Sequence, residues 1–191
     1  MEADWEMELG GSAPVIDACW TGLVDLRVVP ERVAEIEETR GLPALADVLV
    51  RLNAPASPVW TAKCDVWAVE EPVDPLEIDA EPDDATSALA CYIDLLTRND
   101  QQWIVPEGAA EACKALVARL RAVSLRACRV DLVVRQARIA PEAYGLGITA
   151  YVTACGADED AARERLGAAV AAVADTLVQA GPPAASGSPL Q

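Results

Sequence analysis

Four aspartates occur at matching places in four short apolar runs, although Asp is disfavoured inside β-strands. The runs are Leu23-Val24-Asp25-Leu26, Lys63-Cys64-Asp65-Val66, Tyr92-Ile93-Asp94-Leu95 and Arg129-Val130-Asp131-Leu132. Carboxylate oxygens gathered on one surface could bind a cationic ligand or a hard metal ion such as Mg²⁺. Basic side chains beside them offer the alternative that the aspartates form ion pairs across neighbouring strands.

The chain contains no histidine among its 191 residues. This excludes Ser-His-Asp and Cys-His catalytic sites and every His-ligated metal site. Gly145-Leu146-Gly147 lacks the third glycine of a dinucleotide-binding loop, and neither a GxxxxGK[ST] nor a GxSxG motif occurs. Catalysis would have to use carboxylates, thiols, Tyr, Lys, hydroxyls or a bound cofactor. The sequence therefore favours a non-catalytic protein and predicts no cofactor and no resident metal.

Six cysteines are spread along the chain without a CxxC pair, which argues against a zinc knuckle or a thioredoxin-type site. Cys155 alone stands just before a predicted helix start, where the helix dipole lowers a thiol pKa. The acids Asp158, Glu159 and Asp160 follow it at once and act in the opposite direction. A structural role is favoured for Cys155, with a reactive thiol as the alternative.

Charge is distributed unevenly within a net charge of -16. A proline-rich acidic loop holds Glu70, Glu71, Asp74, Glu77, Asp79, Glu81, Asp83 and Asp84 and no base. The stretch 114–138 instead carries seven basic residues and one acid, Asp131. The loop could bind a basic partner, cover the chain's own basic stretch or stay solvated. Overall acidity and the lack of a nucleic-acid-binding motif argue against DNA or RNA as a partner.

Hydrophobic periodicity predicts the elements that must position these residues. Strands are expected over about 5–9, 15–28, 58–70, 88–97, 128–139 and 146–155. Helices are expected over about 30–53, broken near Gly41 and Pro43, then after Pro106 and from Asp158. The last two helices are each predicted to bury one apolar stripe, which includes Leu116 and Leu120 in the first and Leu166 and Val170 in the second. The Pro/Gly/Ser-rich residues 181–191 are predicted to be a disordered tail.

The element order predicts an α+β fold, because two βαβ units in tandem build a ferredoxin-like βαββαβ sandwich. Weak internal similarity suggests pseudo-repeats at about 15–70 and 88–139. An additional C-terminal strand and helix would occupy 146–180 and complete a single domain over 1–180.

Strand alternation assigns each side chain to one of two faces. Val24, Leu26 and Val28 are expected under the helices, together with Trp60, Ala62, Cys64 and Val66. The two following strands are expected to add Leu89, Cys91, Ile93 and Leu95, and Cys128, Val130, Leu132 and Val134. The opposite, open face is then predicted to carry Asp25, Arg27, Lys63, Asp65, Trp67, Tyr92, Asp94, Arg129, Asp131 and Arg135.

Three functions fit these observations. The first is a binding or assembly module that self-associates through the open face or docks a basic protein partner. The second is an enzyme or sensor with a small-molecule or Mg²⁺ site on that face, with an Asp as ligand or base and Tyr92 or Lys63 as donor. The third is an acidic inhibitor or immunity-type protein. An acidic N-terminus and the lack of a long apolar stretch predict a cytoplasmic chain without a membrane span.

Overall fold

A computed structural model describes residues 1–11, 13–98 and 105–179 of the chain. The predicted disordered tail at 181–191 lies outside the described residues. No helix in the described ranges is long and apolar enough to cross a membrane.

The described residues form a mixed α+β fold. The strands are β1 (Glu2–Glu8), β2 (Ile16–Asp17), β3 (Val59–Ala68), β4 (Ser87–Thr97), β5 (Cys128–Ala140) and β6 (Ala143–Gly156). The helices are α1 (Glu38–Gly41), α2 (Pro43–Asn53), α3 (Pro106–Arg121) and α4 (Glu159–Gln179), with 3₁₀ turns at Pro30–Glu35, Pro75–Glu77 and Pro82–Asp84. Prolines begin α2 and α3, where their missing N–H breaks no helical hydrogen bond.

All six strands join one sheet in the order β1-β5-β6-β4-β3, with β2 extending the β1 side of β5. β1 and β2 run parallel to β5, and the other pairs are antiparallel. Both β4 and β5 are antiparallel to β6, so they are parallel to each other and are linked through α3. This part is a split βαβ unit with β6 inserted between its two strands.

The first half of the chain does not repeat that unit. The strand expected over about 15–28 is reduced to Ile16–Asp17, and residues 18–29 form an irregular segment, here named the crossing segment. The strand order is not that of a simple ferredoxin-like sandwich, so that arrangement is not confirmed. The physical reason is that β1, rather than residues 15–28, pairs along β5.

The main core lies between one sheet face and helices α2, α3 and α4. The alternating apolar residues of β4 and β5 point into it as predicted: Leu89, Cys91, Ile93 and Leu95 of β4, and Cys128, Val130, Leu132 and Val134 of β5. Ile148, Ala150 and Val152 of β6, for which no face was predicted, point into the same core. The stripes predicted on the helices, such as Leu116 and Leu120 of α3 and Leu166 and Val170 of α4, face the same core. Local periodicity is a reliable guide here because these elements are regular.

A β-bulge in β3 overturns the predicted face of two residues. The register with β4 shifts between Thr61 and Lys63, so one extra residue is inserted. Trp60 and Ala62 therefore join a second apolar cluster on the opposite side of the sheet, together with Ile16, Ala18, Leu96 and Ala137. The expectation that Trp60 and Ala62 lie under the helices is wrong because the bulge reverses the alternation.

The crossing segment covers this second cluster. It starts at β2 beside β5 and reaches β3, where the Trp20 indole Nε1 donates to the Ala62 carbonyl at 3.1 Å. The Arg27 guanidinium lies over the Trp60 ring, 3.6 Å from its centroid. Leu26 then turns into the main core, whereas Val28 is 74% exposed, contrary to the expectation that it is buried. One end of the sheet face opposite the helices is thereby closed.

Candidate binding face

Beyond the crossing segment, no described helix or strand covers the sheet face opposite the helices, which is here named the open face. The strand registers align its side chains in rows across the strands. One row runs Asp4, Asp131, Tyr151, Tyr92 and Asp65, and the next runs Glu6, Val133, Thr149, Asp94 and Lys63. The first row thus has two tyrosines at its centre and carboxylates at both ends.

Three aromatic rings are in contact along this face. The Tyr92 and Tyr151 ring centroids lie 6.0 Å apart, and those of Trp67 and Tyr92 lie 6.2 Å apart. Trp67 is 38% exposed, and both tyrosines are half-buried. Burial, followed by the nearby Asp94 and Asp65 charges, raises the pKa of Tyr92 well above its usual range. Tyr92 therefore stays neutral at physiological pH, and the three rings form an apolar strip edged with polar groups.

Two arginines of β5 are held by carboxylates and hydroxyls. Arg129 forms an ion pair with Asp131 at 2.8 Å. Arg135 forms an ion pair with Glu8 at 2.8 Å and donates from Nη1 to the Tyr151 hydroxyl, also at 2.8 Å. Burial disfavours the charged guanidinium of Arg135 and by itself would lower its pKa. The hydrogen bonds to Tyr151 and Glu8 have the larger combined effect, so the pKa of Arg135 is raised. A cavity of about 440 Å³ lies between these side chains and β1.

Asp94 is the buried acid of the open face, with 6% of its surface exposed. Its Oδ1 accepts a hydrogen bond of 2.6 Å from the Thr149 hydroxyl. Burial raises the pKa of Asp94, although the Thr149 hydrogen bond and the charges of Arg135 and Lys63 act in the opposite direction. The folded chain therefore binds this proton more tightly than the unfolded chain does.

We expect Asp94→Asn to increase the free energy of unfolding at pH 7. Because the folded chain binds the Asp94 proton more tightly, protonation of Asp94 stabilises the fold. This contribution is complete only below the pKa of Asp in the unfolded chain, about 3.9, and is lost as pH rises through the pKa of Asp94 in the folded chain. Asparagine carries no charge and its amide oxygen can still accept the Thr149 bond. Urea unfolding at a series of pH values should show the gain at pH 7 shrinking as pH falls toward 4.

Asp131→Asn is the matched control. Asp131 is paired with Arg129 and half-exposed, so its replacement should be neutral or mildly destabilising at pH 7. A destabilised Asp94→Asn protein at neutral pH would contradict the assignment of Asp94 as a carboxylate whose burial costs stability.

The structure brings most of the predicted face residues together, but not all of them. Lys63, Asp65, Trp67, Tyr92, Asp94, Arg129, Asp131 and Arg135 share the open face. Asp25 and Arg27 lie instead in the crossing segment, where Arg27 donates to both Asp25 carboxylate oxygens at 2.8 and 2.7 Å. That hydrogen bond lowers the pKa of Asp25 despite its partial burial. The pair is separate from the face because no strand forms at residues 23–28.

Sequence reasoning missed Tyr151, Thr149 and the acids of β1. Glu2, Asp4, Glu6 and Glu8 point to the open face because β1 pairs in parallel with β5. The alternation of β1 and β6 could have assigned the face of each side chain. It could not have placed β1 beside β5, because that pairing joins residues far apart in the chain. β6 instead follows β5 after a two-residue connection, and a short connection between two strands is the local signal of a hairpin.

The four aspartates of the sequence pattern do not converge. Asp65, Asp94 and Asp131 lie on three different strands, and Asp25 lies outside the sheet. Across the part of the chain that the structure describes, no three Cys, Asp or Glu side chains form a group that could hold a metal ion. The Mg²⁺ alternative thus has no ligand cluster among those residues.

The acidic loop is partly neutralised by the chain's own arginines. Arg126 contacts Asp79 and Glu81, each at 3.4 Å, and Arg165 contacts Asp84 at 3.0 Å. Asp74 instead accepts a hydrogen bond from the backbone N–H of Leu76. Glu70, Glu71, Glu77 and Asp83 form no ion pair with any residue that the structure describes.

Cys155 is completely buried in a small cluster with Ile78 and Ala127. Burial raises its pKa, and the positive charge of Arg165 only partly offsets the rise. Burial likewise raises the pKa of Cys64 and Cys113 to about 12 and that of Cys128 to about 11. A nucleophilic role needs an accessible thiolate, which this environment disfavours.

We expect Cys155 to resist alkylation in the folded protein. At pH 7.5, maleimide should label the half-buried Cys19 first, while Cys155 and the other buried thiols react orders of magnitude more slowly. Peptide mapping by mass spectrometry identifies the labelled position. In urea all six should react at similar rates, and rapid native labelling of Cys155 would revive the reactive-thiol alternative.

Comparison of this chain with protein-family models, with curated proteins and with solved structures finds no match.

Proposed function

We propose that this chain is a non-catalytic binding module whose open face docks an arginine-rich segment of a basic protein partner. The observation that carries the proposal is the row Asp4, Asp131, Tyr151, Tyr92 and Asp65, in which aromatic rings are flanked by carboxylates. Arginine is the side chain that combines a planar cation for stacking on rings with donors for carboxylates. The proposal does not depend on a ferredoxin-like topology.

Charge complementarity supports a cationic occupant. The open face carries the acids Glu2, Asp4, Glu6, Glu8, Asp65, Asp94 and Asp131 against the bases Lys63, Arg129 and Arg135. Arg129 and Arg135 are already paired with Asp131 and Glu8. The remaining carboxylates leave a net negative surface on a chain of charge -16, which steers basic partners and repels a second copy.

The sheet edges are poorly suited to pairing with another strand. On β1, Arg121 donates to the Ala3 carbonyl at 2.8 Å and the Trp5 N–H donates to the Asp4 side chain. On β3, Asn53 accepts from the Thr61 N–H, Trp20 covers the Ala62 carbonyl, and Asp65 accepts from the Val66 N–H. Side chains thus occupy edge groups that an added strand would need. Docking on the face is therefore favoured over extension of the sheet.

We also infer a cytoplasmic location. All six cysteines are free thiols, as is usual where reducing systems keep thiols unpaired.

A titration with peptides of defined charge tests the docking proposal. The probe is a short synthetic peptide of alternating arginine and glycine, compared with the corresponding lysine and glutamate peptides by calorimetry. We expect the arginine peptide to bind most tightly and the glutamate peptide not to bind. Trp67→Ala should weaken arginine-peptide binding by about fivefold, the value of an exposed cation–π contact. Added salt should weaken the binding further.

The acidic loop supplies a control with the same change of charge. Asp65→Asn/Asp131→Asn alters the open face, and Glu70→Gln/Glu71→Gln alters the loop. Only the face variant should lose affinity. Equal losses would show that overall charge attracts the peptide and would overturn the proposal. A wild-type dimer that dissociates in Trp67→Glu would instead support self-association through the face.

A further inference from the structure

A second cavity, of about 240 Å³, lies between the crossing segment, α1 and β3. It is smaller than the roughly 300 Å³ at which pockets for drug-sized ligands begin, so only a small molecule fits. Its apolar lining includes Leu23, Leu26, Ile36, Leu49 and Cys64. None of the residues in the open-face row Asp4, Asp131, Tyr151, Tyr92 and Asp65 lines this cavity.

Trp20 and Gly22 form a fixed wall of this cavity. The Trp20 indole is held by its hydrogen bond to Ala62, and its ring lies directly on the Gly22 backbone. A Cβ at Gly22 would come within 1.9 Å of that ring, so glycine is needed for this contact. These two contacts hold the exposed Trp20 ring at the cavity edge, and an ordered wall reduces the entropic cost of binding.

The polar lining is predominantly negative. Glu35, Glu37 and Glu38 are among the lining residues, and Lys63 is the cationic member among those described. Glu35 is paired with Arg32 at 2.7 Å, whereas Glu37 and Glu38 form no ion pair with a described residue. Burial, and then the charge of Glu38, raises the pKa of Cys64 in the cavity wall. The apolar interior is thus bordered by unpaired negative charge.

We propose that this cavity binds a small aliphatic amine, whose hydrocarbon chain contacts Leu26 and Leu49 and whose ammonium group is held by Glu37 and Glu38. An amine matches both parts of the lining, because a neutral alkane leaves the carboxylates unpaired and a carboxylate is repelled. This site does not depend on peptide binding at the open face.

The test uses n-pentylammonium as the probe, with n-pentanol and pentanoate as matched controls, in an NMR titration of the full chain. We expect saturable shifts confined to the backbone amides of residues 20–26, 35–38 and 61–64. Pentanol should bind about fivefold more weakly, as expected for loss of a partly exposed ion pair, and pentanoate should not bind. In a separate titration with the arginine peptide, the shifts of the Asp65, Tyr92 and Tyr151 backbone amides measure binding at the open face. Failure of one proposal can therefore be distinguished from failure of the other.

Variants identify the residues responsible. Glu37→Gln/Glu38→Gln should lower pentylammonium affinity to that of pentanol, whereas Glu31→Gln, an exposed acid of the neighbouring turn outside the cavity, should leave it unchanged. Cys64→Met should reduce binding of both ligands by filling space, and dispersed amide spectra show that each variant folds. The absence of saturable shifts, equal binding of all three probes, or an equal loss in Glu31→Gln would overturn the proposal.

Discussion

Trp60→Ala is expected to lower the free energy of unfolding by about 3–5 kcal/mol, the usual cost of deleting a buried large aromatic side chain. Trp60 is 4% exposed and lies in the cluster formed by Ile16, Ala18 and Leu96. Its ring also supports the Arg27 guanidinium of the crossing segment. Removing it leaves a cavity beneath that segment. Urea unfolding monitored by circular dichroism measures the loss.

Trp67→Ala is the matched comparison on the same strand. Trp67 is 38% exposed and lies at one end of the strip of three rings, where it contacts Tyr92. We expect its loss to change stability by less than about 1 kcal/mol while weakening binding of the arginine peptide. Similar destabilisation by the two variants would contradict the distinct environments assigned to these tryptophans.

Gly156→Val should lower the free energy of unfolding by about 3 kcal/mol, at the upper end of the usual cost of overpacking. Gly156 ends β6, and α4 begins three residues later. A Cβ at this glycine would lie 2.4 Å from the backbone N of Ala162 and 2.8 Å from the carbonyl carbon of Ala161. Because the obstructing atoms are backbone, the first turn of α4 must move away from the sheet. Thermal unfolding provides the measurement.

Gly41→Ala is the control for Gly156→Val, because it replaces a glycine where a side chain meets no close backbone. Outside its own helix and chain neighbours, no described residue has an atom within 4 Å of a Cβ added at Gly41, which has no positive φ. Alanine there should raise stability by about 0.5 kcal/mol, because it restricts the unfolded chain. Equal destabilisation by both variants would show that the contact between Gly156 and α4 does not determine the result.

Much of the regular structure followed from local patterns in the sequence. The alternation in Cys128 to Val134 and in Leu89 to Leu95 predicted which side chains enter the core, and both strands agree with it. The stripe on α3 and the proline at its start predicted that helix with its buried face. These predictions succeed because side-chain direction in a regular element depends only on the repeat of its own backbone.

The candidate face was predicted only in part. Alternation placed Lys63, Asp65 and Trp67 correctly because they follow the bulge, and it misplaced Trp60 because that residue precedes it. Asp25 was assigned to a strand because its neighbours Val24 and Leu26 alternate with it. That alternation belongs to a segment that turns around the edge of β3, and none of the described strands pairs with residues 23–28.

The sequence by itself determined the types of most regular elements, the helix-facing sides of β4 and β5, the absence of histidine chemistry and the separation of acidic from basic stretches. Only the tertiary structure decided that β1 lies parallel to β5, that β6 separates β4 from β5, and that Tyr151 and Asp4 extend the row of Asp65 and Tyr92. The physical reason is that strand order and register arise from pairing between residues far apart in the chain. Such pairing is settled by the burial of the whole sheet rather than by any local pattern.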